Sequence, residues 1–558
     1  MVYFLLALAF LIFIIVSLTR KNEEKILAEI RLNWARRINK KRDLLDVEEY
    51  AIHNKNKHFH KLTLQTLKDI DIENLFALLD RTLTTIGQQF LYNKIIFPQN
   101  DLERLKKSDE NSNYFQKKIA KRESVQIILY ELEKNGTSRI AHLLNIQNSV
   151  IDKNLDIYRM LTTLAVAALI AAIFFPVIFI YLVLIFGTNI MIQYVFKYRN
   201  ERQYASVREI YGMIKAAQKL QKTDTIIKGD SIPEHLKSLR PFVKYYSLLN
   251  FGIPGDDLSK AMFYMLELLK ACFLLELHLL NNSYSQIINQ REALKKLFEY
   301  VGEFDFAISM ASLKSDSRFA TCIPDLVSEN KILKFTNATH PLIKDCIPNS
   351  FCLEHKSAFI TGSNMSGKST FLRTILINSI LAQTLYTCFA ESFTTSFLKP
   401  FSSITIEDNL SEGSSYFFTE VEIVKEMTEQ VPFSPNHLFV IDETFKGTNT
   451  LERISLAKAV LEFLNNNENI VVASSHDLEL IDLISKDFEL YYFTETIKGN
   501  YLNFDHTIKP GFLKTTNAIK IIEIENYPKV IIDEAYKLTK EYKAGSFVAL
   551  MNEADKTS

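Results

Sequence analysis

The chain has 558 residues, too many for one ordinary hydrophobic core, so we expect two to four structural units. Lysine plus arginine and aspartate plus glutamate number 65 each, which excludes a strongly basic, polyanion-seeking protein and makes any nucleic-acid surface a local one. Glycines (15) and prolines (13) are few, which favours a helix-rich architecture. Five cysteines without metal-ligand spacing predict buried free thiols in a reducing compartment: Cys272, Cys322, Cys346, Cys352 and Cys388.

The first predicted element is a transmembrane helix over residues 1–19, whose apolar run from Val2 to Leu18 is near the lower length limit for a spanning helix. A cleaved signal peptide is the alternative, but no basic region precedes the run and no A-x-A-like site follows it. Arg20 and Lys21 follow the run. The positive-inside rule therefore places the N-terminus outside and the rest of the chain in the cytoplasm.

Residues 20–59 form a predicted basic juxtamembrane segment. Its centre, residues 31–42 (RLNWARRINKKR), carries cationic side chains around Trp34, the only tryptophan. This composition next to an anchor favours anionic lipid headgroups. Nucleic-acid phosphates and a plain solvated helix face are the alternatives.

Long helical periodicity with few breakers predicts a helical core over residues 60–335. An apolar stretch at residues 160–196 interrupts it, with a turn near Phe175-Pro176. Basic residues on both flanks favour a transmembrane hairpin with both ends in the cytoplasm and legs of about 17 residues. A single long tilted helix and an apolar hairpin buried in a soluble core are the alternatives.

A loop-rich passage from Lys314 to Asn349 marks the boundary to a C-terminal α/β unit, assigned to residues 336–536 and followed by a tail at 537–558. Apolar strand-like runs alternate there with helices, which predicts a mostly parallel sheet with helices on both faces. The predicted strands are Ala358–Ile360, Ser403–Ile406, His437–Ile441 and Asn469–Ser474.

The most specific motif follows the first of these strands and precedes a helix predicted from Phe371 to Thr387. It fits G-x-x-x-x-G-K-[ST] with Gly362, Ser363, Asn364, Met365, Ser366, Gly367, Lys368, Ser369 and Thr370. Backbone N–H groups and the helix N-terminus would cradle a β-phosphate. Lys368 would reach the β- and γ-phosphates, and the Ser369 hydroxyl would hold Mg²⁺. A Gly/Ser-rich turn beside a lysine is the alternative.

Two further strands end in polar residues that such a site needs. Asp442 and Glu443 end one strand, so Asp442 would hold Mg²⁺ through its water shell and Glu443 would polarise the attacking water. His476 follows another strand, where it could sense a γ-phosphate or orient water. Solvated acids at a strand end, and a histidine satisfied by local hydrogen bonds, are the alternatives.

Together these segments resemble the MutS family of mismatch-repair ATPases. The matching segments of the α/β unit are 361–370 (family TGPNMGGKST), 407–417 (DDLxxGxSTF), 442–450 (DEIGRGTST) and 474–476 ([AS]-T-H). Weaker likenesses are Leu79–Gly87, Glu303–Ala311, Ala338–Pro341, Ile347–Asn349, Pro510-Gly511 and Ala518–Ala535. The resemblance covers about residues 60–536.

The resemblance implies an ABC-like, α/β P-loop ATPase domain preceded by a helical lever core, working as a homodimer with two composite sites. It implies ATP and Mg²⁺ as cofactors and hydrolysis of ATP to ADP and phosphate. Gly413, Ser414 and Ser415 would face the partner's γ-phosphate, with a helix from Thr419 pointing its N-terminus there. Thr448, Asn449 and Thr450 would lie at the dimer seam, and ATP would move the levers.

The chain departs from the family pattern at several places. Ser363 and Ser366 replace Pro and Gly of the loop, Lys446 replaces Arg, and Cys346 stands where the family tends to have an aromatic residue on adenine. About 60 residues precede the core. We therefore expect no mismatch-reading or connector domain, and no Smr-type nuclease after the ATPase.

The sequence therefore predicts a membrane-anchored, dimeric MutS-like ATPase of a bacterial inner membrane, with its ATPase domain facing the cytoplasm. Membrane lipid is an expected partner, and DNA or another protein is a possible ligand. A mismatch-repair protein that binds mismatched or structured DNA is one alternative. An ABC-type transport ATPase is the other, although three short spans make a poor substrate path.

Overall fold

The protein is described from a computed structural model, and its residues divide into two compact units. The helical unit comprises residues 1–57, 79–94 and 107–317, and the α/β unit comprises residues 58–78, 95–106 and 318–558. The structure describes residues 23–37, 43–53, 58–134, 136–145, 155–249, 257–329, 331–363, 366–405, 416–433, 435–466, 468–498, 501–512, 518–525 and 527–543. The predicted N-terminal transmembrane helix, Asn364, Met365 and the Gly413–Ser415 segment lie outside these residues.

Helices dominate the chain up to residue 314, as predicted. They are α1 (Leu44–Ile52), α2 (Leu64–Asp69), α3 (Ile72–Leu79), α4 (Thr85–Ile96), α5 (Leu102–Lys117), α6 (Ile119–Lys134), α7 (Ile140–Asn145), α8 (Leu155–Phe174), α9 (Ile178–Arg199), α10 (Glu201–Lys222), α11 (Ile232–Ser238), α12 (Arg240–Leu249), α13 (Asp257–Cys272), α14 (Leu275–Asn289) and α15 (Arg291–Lys314). Helix α15 is central to the helical unit, because most of its side chains are buried and ten of them belong to one hydrophobic core.

A buried carboxylate joins two of the segments that resemble MutS. Asp305, on α15, is fully buried and accepts hydrogen bonds from the backbone N–H groups of Leu83 and Thr84, both at 2.8 Å. These donors lie just before α4, so Asp305 satisfies N–H groups that a helix start leaves open. A Cβ on Gly87 would lie 2.2 Å from Asp305 Oδ2, so only glycine fits there.

The predicted apolar hairpin is present as two helices, α8 and α9, which are joined by a turn at residues 175–177. These helices are the legs of the hairpin. Both legs are long and apolar enough to cross a membrane by length and composition. Only 11% and 17% of their most apolar windows are buried. The alternative of a hairpin buried in a soluble core therefore does not describe this structure, whereas the turn near Phe175-Pro176 is confirmed.

The first residues of the basic segment, Arg31 to Ala35, pack within the helical unit. The guanidinium of Arg122 lies 3.5 Å from the centre of the Trp34 ring, and Arg31 forms a two-point ion pair with Glu123 at 2.7 and 2.8 Å. The backbone N–H of Ala35 also donates to Ser312. Trp34 is therefore used in packing within the helical unit, because its ring face stacks on a cation of the same chain rather than on lipid.

The α/β unit contains two main sheets and a small hairpin. Its strands are β1 (Asp325–Val327), β2 (Ile332–Ala338), β3 (Asn349–Glu354), β4 (Ser357–Thr361), β5 (Ser392–Ser396), β6 (Lys399–Ser403), β7 (His437–Asp442), β8 (Ile470–Ser474), β9 (Phe488–Tyr492), β10 (Glu495–Lys498), β11 (Tyr501–Phe504) and β12 (Lys509–Pro510). Its later helices are α16 (Lys368–Thr384), α17 (Tyr416–Gln430), α18 (Thr450–Leu464), α19 (Glu479–Ile484), α20 (Ala518–Ile524) and α21 (Lys529–Lys543).

The larger sheet has the order β12-β9-β4-β8-β7-β6, parallel except at the β12 edge. The predicted mostly parallel sheet is thus confirmed. A second sheet, β1-β5-β2-β3, includes two strands of the passage expected to be loop-rich. The passage is otherwise loop-rich, as predicted, but β2 pairs on both sides, with β3 and with β5.

Several predicted element bounds are corrected. The strand expected at Ser403–Ile406 is Lys399–Ser403, because the N–H groups of Ile404 and Thr405 donate to the Asp69 carboxylate (3.0 and 2.8 Å) instead of to a strand. The helix expected at Phe371–Thr387 is Lys368–Thr384 and starts directly after Gly367, whose φ is +114°. The helix expected from Thr419 begins at Tyr416.

The five cysteines are free, as predicted, but their burial differs. Cys272 and Cys388 are buried, Cys322 and Cys346 are half-buried, and Cys352 is exposed. Cys352 lies on β3, where alternate side chains face outward.

Candidate functional site

The phosphate-binding motif forms the turn between β4 and α16. Gly362 and Gly367 both have positive φ, and a Cβ on Gly362 would lie 2.7 Å from the carbonyl oxygen of Phe493. These two positions require glycine because the backbone is left-handed and closely approached. The Lys368 ammonium is buried and donates to the carbonyl oxygens of Gly362 and Ser363 at 2.9 and 3.0 Å.

Burial lowers the pKa of Lys368 to about 8, while the nearby Asp442 carboxylate opposes that shift. An ammonium held this way in a poorly solvated loop gains strongly from an incoming polyanion, because phosphate oxygens replace the solvation that burial removed.

The parallel register brings polar strand ends together. Asp442 of β7 is directly opposite Ser474 of β8, and β8 also pairs with β4, which leads into the phosphate loop. The hydroxyls of Ser369 and Ser474 both donate to the Asp442 carboxylate. Sequence reasoning expected Ser369 and Asp442 to share a site, and the structure places them in direct contact.

The donor set around Asp442 suits a hard divalent cation. One carboxylate and neighbouring hydroxyl oxygens are the ligands that Mg²⁺ uses when substrate phosphates and water supply the rest. Among the described residues, no group of three His, Cys, Asp or Glu side chains could hold a metal by itself. Ser369 and Asp442 would therefore hold Mg²⁺ together with a bound nucleotide, whose phosphate oxygens the ion would neutralise.

Glu443 stands at the centre of a charged cluster. Its backbone has φ +56°, and its N–H donates to Ser474 O at 2.9 Å, which fixes the carboxylate just beyond the strand end. The carboxylate contacts Lys446 and the Nε2 atom of His476. The predicted catalytic pair, Glu443 and His476, is thus brought into contact.

Burial lowers the pKa of His476, and the cations of Lys368 and Lys446 lower it further. The lowered pKa favours the neutral imidazole at pH 7. In the tautomer that is protonated at Nε2, the ring donates a hydrogen bond to the Glu443 carboxylate that it meets. A neutral imidazole donating to the carboxylate orients Glu443 without removing its capacity to accept a proton from water.

A cavity of about 400 Å³ opens over the phosphate loop. Lys368, Ser369 and Glu443 line one part of it. The remaining wall contains Cys346, as the resemblance suggested, and His506, which sequence reasoning missed. His506 Nδ1 lies 3.1 Å from Ser366 O, and its ring stacks on Phe504. No local motif marks His506; only the long-range return of the chain after β11 brings it here.

The segment after Glu443 is tied to α17. The buried carboxylate of Glu420 accepts the N–H of Phe445, and a Cβ on Gly447 would lie 2.7 Å from the Cβ of Phe417. Asn449 caps α18 by accepting the N–H of Glu452 at 3.0 Å, and Thr450 is the first residue of that helix. Thr448 donates to the Glu452 carboxylate. These contacts therefore connect α17, the helix that follows the Gly413–Ser415 segment, to the loop that carries the predicted dimer-seam residues.

Comparison with known proteins finds similarity to the MutS family, which the sequence motifs of the site also resemble. A family model for MutS domain V matches residues 358–543. The chain is 29% identical over 293 residues to the DNA mismatch repair protein MutS of Leptospira interrogans, covering 50% of this chain and 34% of that protein. It is 28% identical over 283 residues to MutS of Staphylococcus aureus (47% and 32% covered) and 27% identical over 262 residues to MutS of Methanosarcina barkeri (44% and 29% covered).

The chain spans about a third of the length of these curated relatives. The matched region contains the phosphate loop, Asp442, Glu443 and His476, whose side chains meet at one edge of the parallel sheet. On the strength of this match and this geometry, the chain belongs to the MutS family.

Proposed function

We propose that the protein binds ATP with Mg²⁺ in the cavity over the phosphate loop and hydrolyses it to ADP and phosphate. The observation that carries this proposal is the single cluster formed by Lys368, Ser369, Asp442, Glu443 and His476 at the carboxyl ends of β4, β7 and β8. The cluster supplies oxygen ligands for Mg²⁺, a buried ammonium for the phosphates and a carboxylate base that an imidazole orients. Phosphoryl transfer to water requires these three parts.

Each side chain has a distinct task in this proposal. Lys368 binds the β- and γ-phosphate oxygens, and Ser369 and Asp442 hold Mg²⁺. Glu443 accepts hydrogen bonding from the attacking water, and His476 keeps the Glu443 carboxylate oriented through its Nε2–H. The flat ring of His506, on the same cavity, offers a stacking surface for adenine where Cys346 cannot.

The test is phosphate release by the full-length protein in detergent or nanodiscs. Glu443→Gln should bind ATP normally but lower turnover by about 10² to 10⁴-fold, the usual contribution of a general base. Glu462→Gln is the matched control, because Glu462 pairs with Lys458 on the surface of α18, and no other ion pair of Glu462 occurs among the described residues. Absence of hydrolysis by the unaltered protein, or full turnover in Glu443→Gln, would refute the proposal.

We further propose that two copies form composite sites, with Gly413, Ser414 and Ser415 of one copy completing the site of the other. Family membership and the attachment of α17 to the loop after Glu443 support this arrangement. ATP should convert Glu443→Gln into a stable dimer in analytical ultracentrifugation, whereas ADP should not. A monomer at saturating ATP would contradict it.

The proposal includes attachment to a bacterial inner membrane through lipid contacts, with the ATPase domain in the cytoplasm. The exposed apolar legs α8 and α9 support it, because such a surface is costly in water. The protein should remain in the membrane fraction after high-salt and alkaline carbonate washes. Release by either wash would contradict membrane insertion.

A second candidate function is binding of mismatched or structured DNA. The relatives are named DNA mismatch repair proteins, which favours it, although the balanced charge of 65 cations against 65 anions does not. Gel shifts with homoduplex, mismatched and branched DNA at physiological salt would decide, since phosphate-led binding weakens steeply as salt rises. Equal, salt-sensitive binding to every DNA would argue against a DNA-reading role.

A further inference from the structure

Helices α13 and α14 meet at a sharp corner in the helical unit, at Phe273 and Leu274. Leu274 has φ +50°, a left-handed conformation that ends α13 and starts α14 in a new direction. The carbonyl oxygens of Cys272 and Phe273 lie at this break, where helical hydrogen bonding stops. Such carbonyls need partners, and in an apolar setting an unpaired one is expensive.

Each leg of the apolar hairpin supplies one partner to the corner. Asn189, fully buried on α9, donates its amide to Cys272 O at 2.7 Å. The hydroxyl of Thr162 on α8 lies 3.2 Å from Phe273 O. It also lies 2.9 Å from Tyr158 O of its own helix and 2.9 Å from His278 Nε2 of α14. The Phe273 ring packs edge-on against Phe186 of α9, with 5.4 Å between ring centres. The corner is therefore docked against both legs.

Contacts further along α9 show how far the corner lies from the basic end of that helix. Gln193 donates to the Glu276 carboxylate at 2.6 Å, and Lys197 approaches the same carboxylate at 3.4 Å. Lys197 lies in the last turn of α9, at its basic end. Asn189 precedes Lys197 by eight residues, about 12 Å of helix. The corner thus lies about 12 Å from the basic end, beside the apolar part of the hairpin.

The outward face of the corner is apolar. Met265, Leu268 and Leu269 follow helical spacing on α13 and are 56%, 54% and 44% exposed, and Leu275 continues the surface onto α14 at 41%. Among the described side chains of α13, Lys270 is buried and pairs with Glu267 at 2.5 Å. Helix α13 packs against α9, whose own outward side chains are exposed and apolar, so one surrounding medium suits both.

We propose that the α13–α14 corner is a re-entrant membrane element that enters the lipid with the hairpin and returns to the same side. This inference rests on the proposed membrane attachment and extends it to a segment shorter than a spanning helix. Non-helical backbone is tolerated at membrane depth only where protein satisfies its polar groups. Asn189 and Thr162 do this, which explains why polar side chains interrupt otherwise apolar legs.

The test places a cysteine-linked fluorophore at Leu184 on the hairpin or at Leu269 on the corner. Both are exposed, and Cys322, Cys346 and Cys352 are changed to Ser in the full-length background. The protein is reconstituted in phosphatidylethanolamine–phosphatidylglycerol vesicles, and quenching by nitroxide lipids is compared with quenching by aqueous iodide. The inference expects lipid quenching at both sites and at least about threefold protection from iodide relative to a label at Leu451, which is 78% exposed in the α/β unit.

The outcomes separate the two proposals. Lipid quenching at Leu184 with iodide quenching at Leu269 overturns the re-entrant corner and leaves the membrane hairpin intact. Iodide quenching at both sites overturns membrane attachment itself. Asn189→Leu, which removes the cap from Cys272 O, should raise iodide quenching at Leu269 about twofold or more, because the uncapped carbonyl draws the corner toward water. Its control is Thr188→Val, because within the described part of the chain the Thr188 hydroxyl donates to Leu184 O of its own helix and not to the corner. Equal quenching in both variants overturns the capping role.

Discussion

The two units use buried polar groups in opposite ways. In the α/β unit, Lys368 and Glu443 line a cavity, and burial lowers the pKa of Lys368. Close to them, the Asp442 carboxylate accepts hydrogen bonds from the hydroxyls of Ser369 and Ser474. In the helical unit, the buried carboxylate of Asp305 accepts hydrogen bonds from backbone N–H groups at a helix start. The groups of the first arrangement can still bind a ligand. In the second, the carboxylate already has its hydrogen-bond partners within the protein.

This difference teaches where a substitution should be felt. Groups held ready for a ligand are costly to the free protein, so removing one should reduce binding or turnover and leave stability intact. Groups that complete a helix start contribute only to folding, so disturbing one should lower stability throughout the unit.

The largest expected effect is on stability, from Gly87→Ala. The added methyl would meet Asp305 Oδ2 at 2.2 Å, so the carboxylate must move and lose its bonds to Leu83 and Thr84. We expect a loss of about 3–5 kcal/mol in the free energy of unfolding of the helical unit, from overpacking and from unpaired buried groups together. Chemical denaturation followed by circular dichroism measures it.

The control is Gly187→Ala on α9, where an added Cβ has no atom within 4 Å. That substitution should be neutral or slightly stabilising, because alanine is the better helix former by about 1 kcal/mol. Equal unfolding midpoints for the two variants would show that Asp305 does not hold the start of α4.

The next effect is on binding, from Lys368→Ala. Loss of a charge-assisted contact to phosphate should weaken ATP affinity about 30- to 100-fold, which corresponds to roughly 2–3 kcal/mol. Removing a buried, partly desolvated ammonium should change the unfolding free energy by less than about 1 kcal/mol. Isothermal titration with ATP and a thermal melt without nucleotide measure the two quantities.

Lys458→Ala is the control for Lys368, because Lys458 lies away from the cavity and forms a partly exposed ion pair with Glu462. It should leave both ATP affinity and stability unchanged. If Lys368→Ala lowers the stability of the protein, Lys368 is a structural residue. The buried polar groups of the two units would then serve the same purpose.

How much the sequence predicts follows the same division. The phosphate loop and the Asp442-Glu443 strand end are contiguous and carry their meaning locally, so their neighbours on the sheet could be foreseen from parallel strand order. The cap by Asp305 joins positions 221 or more residues apart, and the corner bonds of Asn189 span 83. Hydropathy indicated the hairpin but gave no reason for the polar residues in its legs, because their partners lie in a later helix pair.

His506 is the site residue that local pattern could not supply, and its expected effect is smaller. His506→Ala should weaken ATP affinity about tenfold, because base stacking on an aromatic ring contributes roughly 1–3 kcal/mol. His506→Phe keeps a flat ring but loses the contact with Ser366 O. Competition binding with ATP and inorganic tripolyphosphate separates the base from the phosphates.

If the ring stacks on adenine, the Phe variant should bind ATP nearly as well as the unaltered protein, and tripolyphosphate affinity should be the same in all three proteins. If instead the Ala and Phe variants lose tripolyphosphate affinity equally, His506 acts by holding the phosphate loop. The aromatic surface would then have to come from elsewhere.

The smallest expected effect is a shift in pH dependence from Lys446→Gln. The pKa of His476 lies below its usual value because of burial and the cations of Lys368 and Lys446, so the ring charges only in acid and the acid limb of turnover should lie below pH 6.5. Removing Lys446 takes away one repulsion. The His476 pKa then rises, and turnover should fall at a higher pH than in the unaltered protein.

Lys446 is half exposed, so the ion pair it forms with Glu443 is screened, and turnover at pH 8 should change by less than about threefold. Lys446→Arg keeps the cation and should restore the original acid limb, whereas a neutral substitution elsewhere, Lys458→Gln, should not move it. An acid limb that stays in place in Lys446→Gln would mean that His476 is not the group that titrates. The orientation of Glu443 would then depend on the strand end and its left-handed backbone alone.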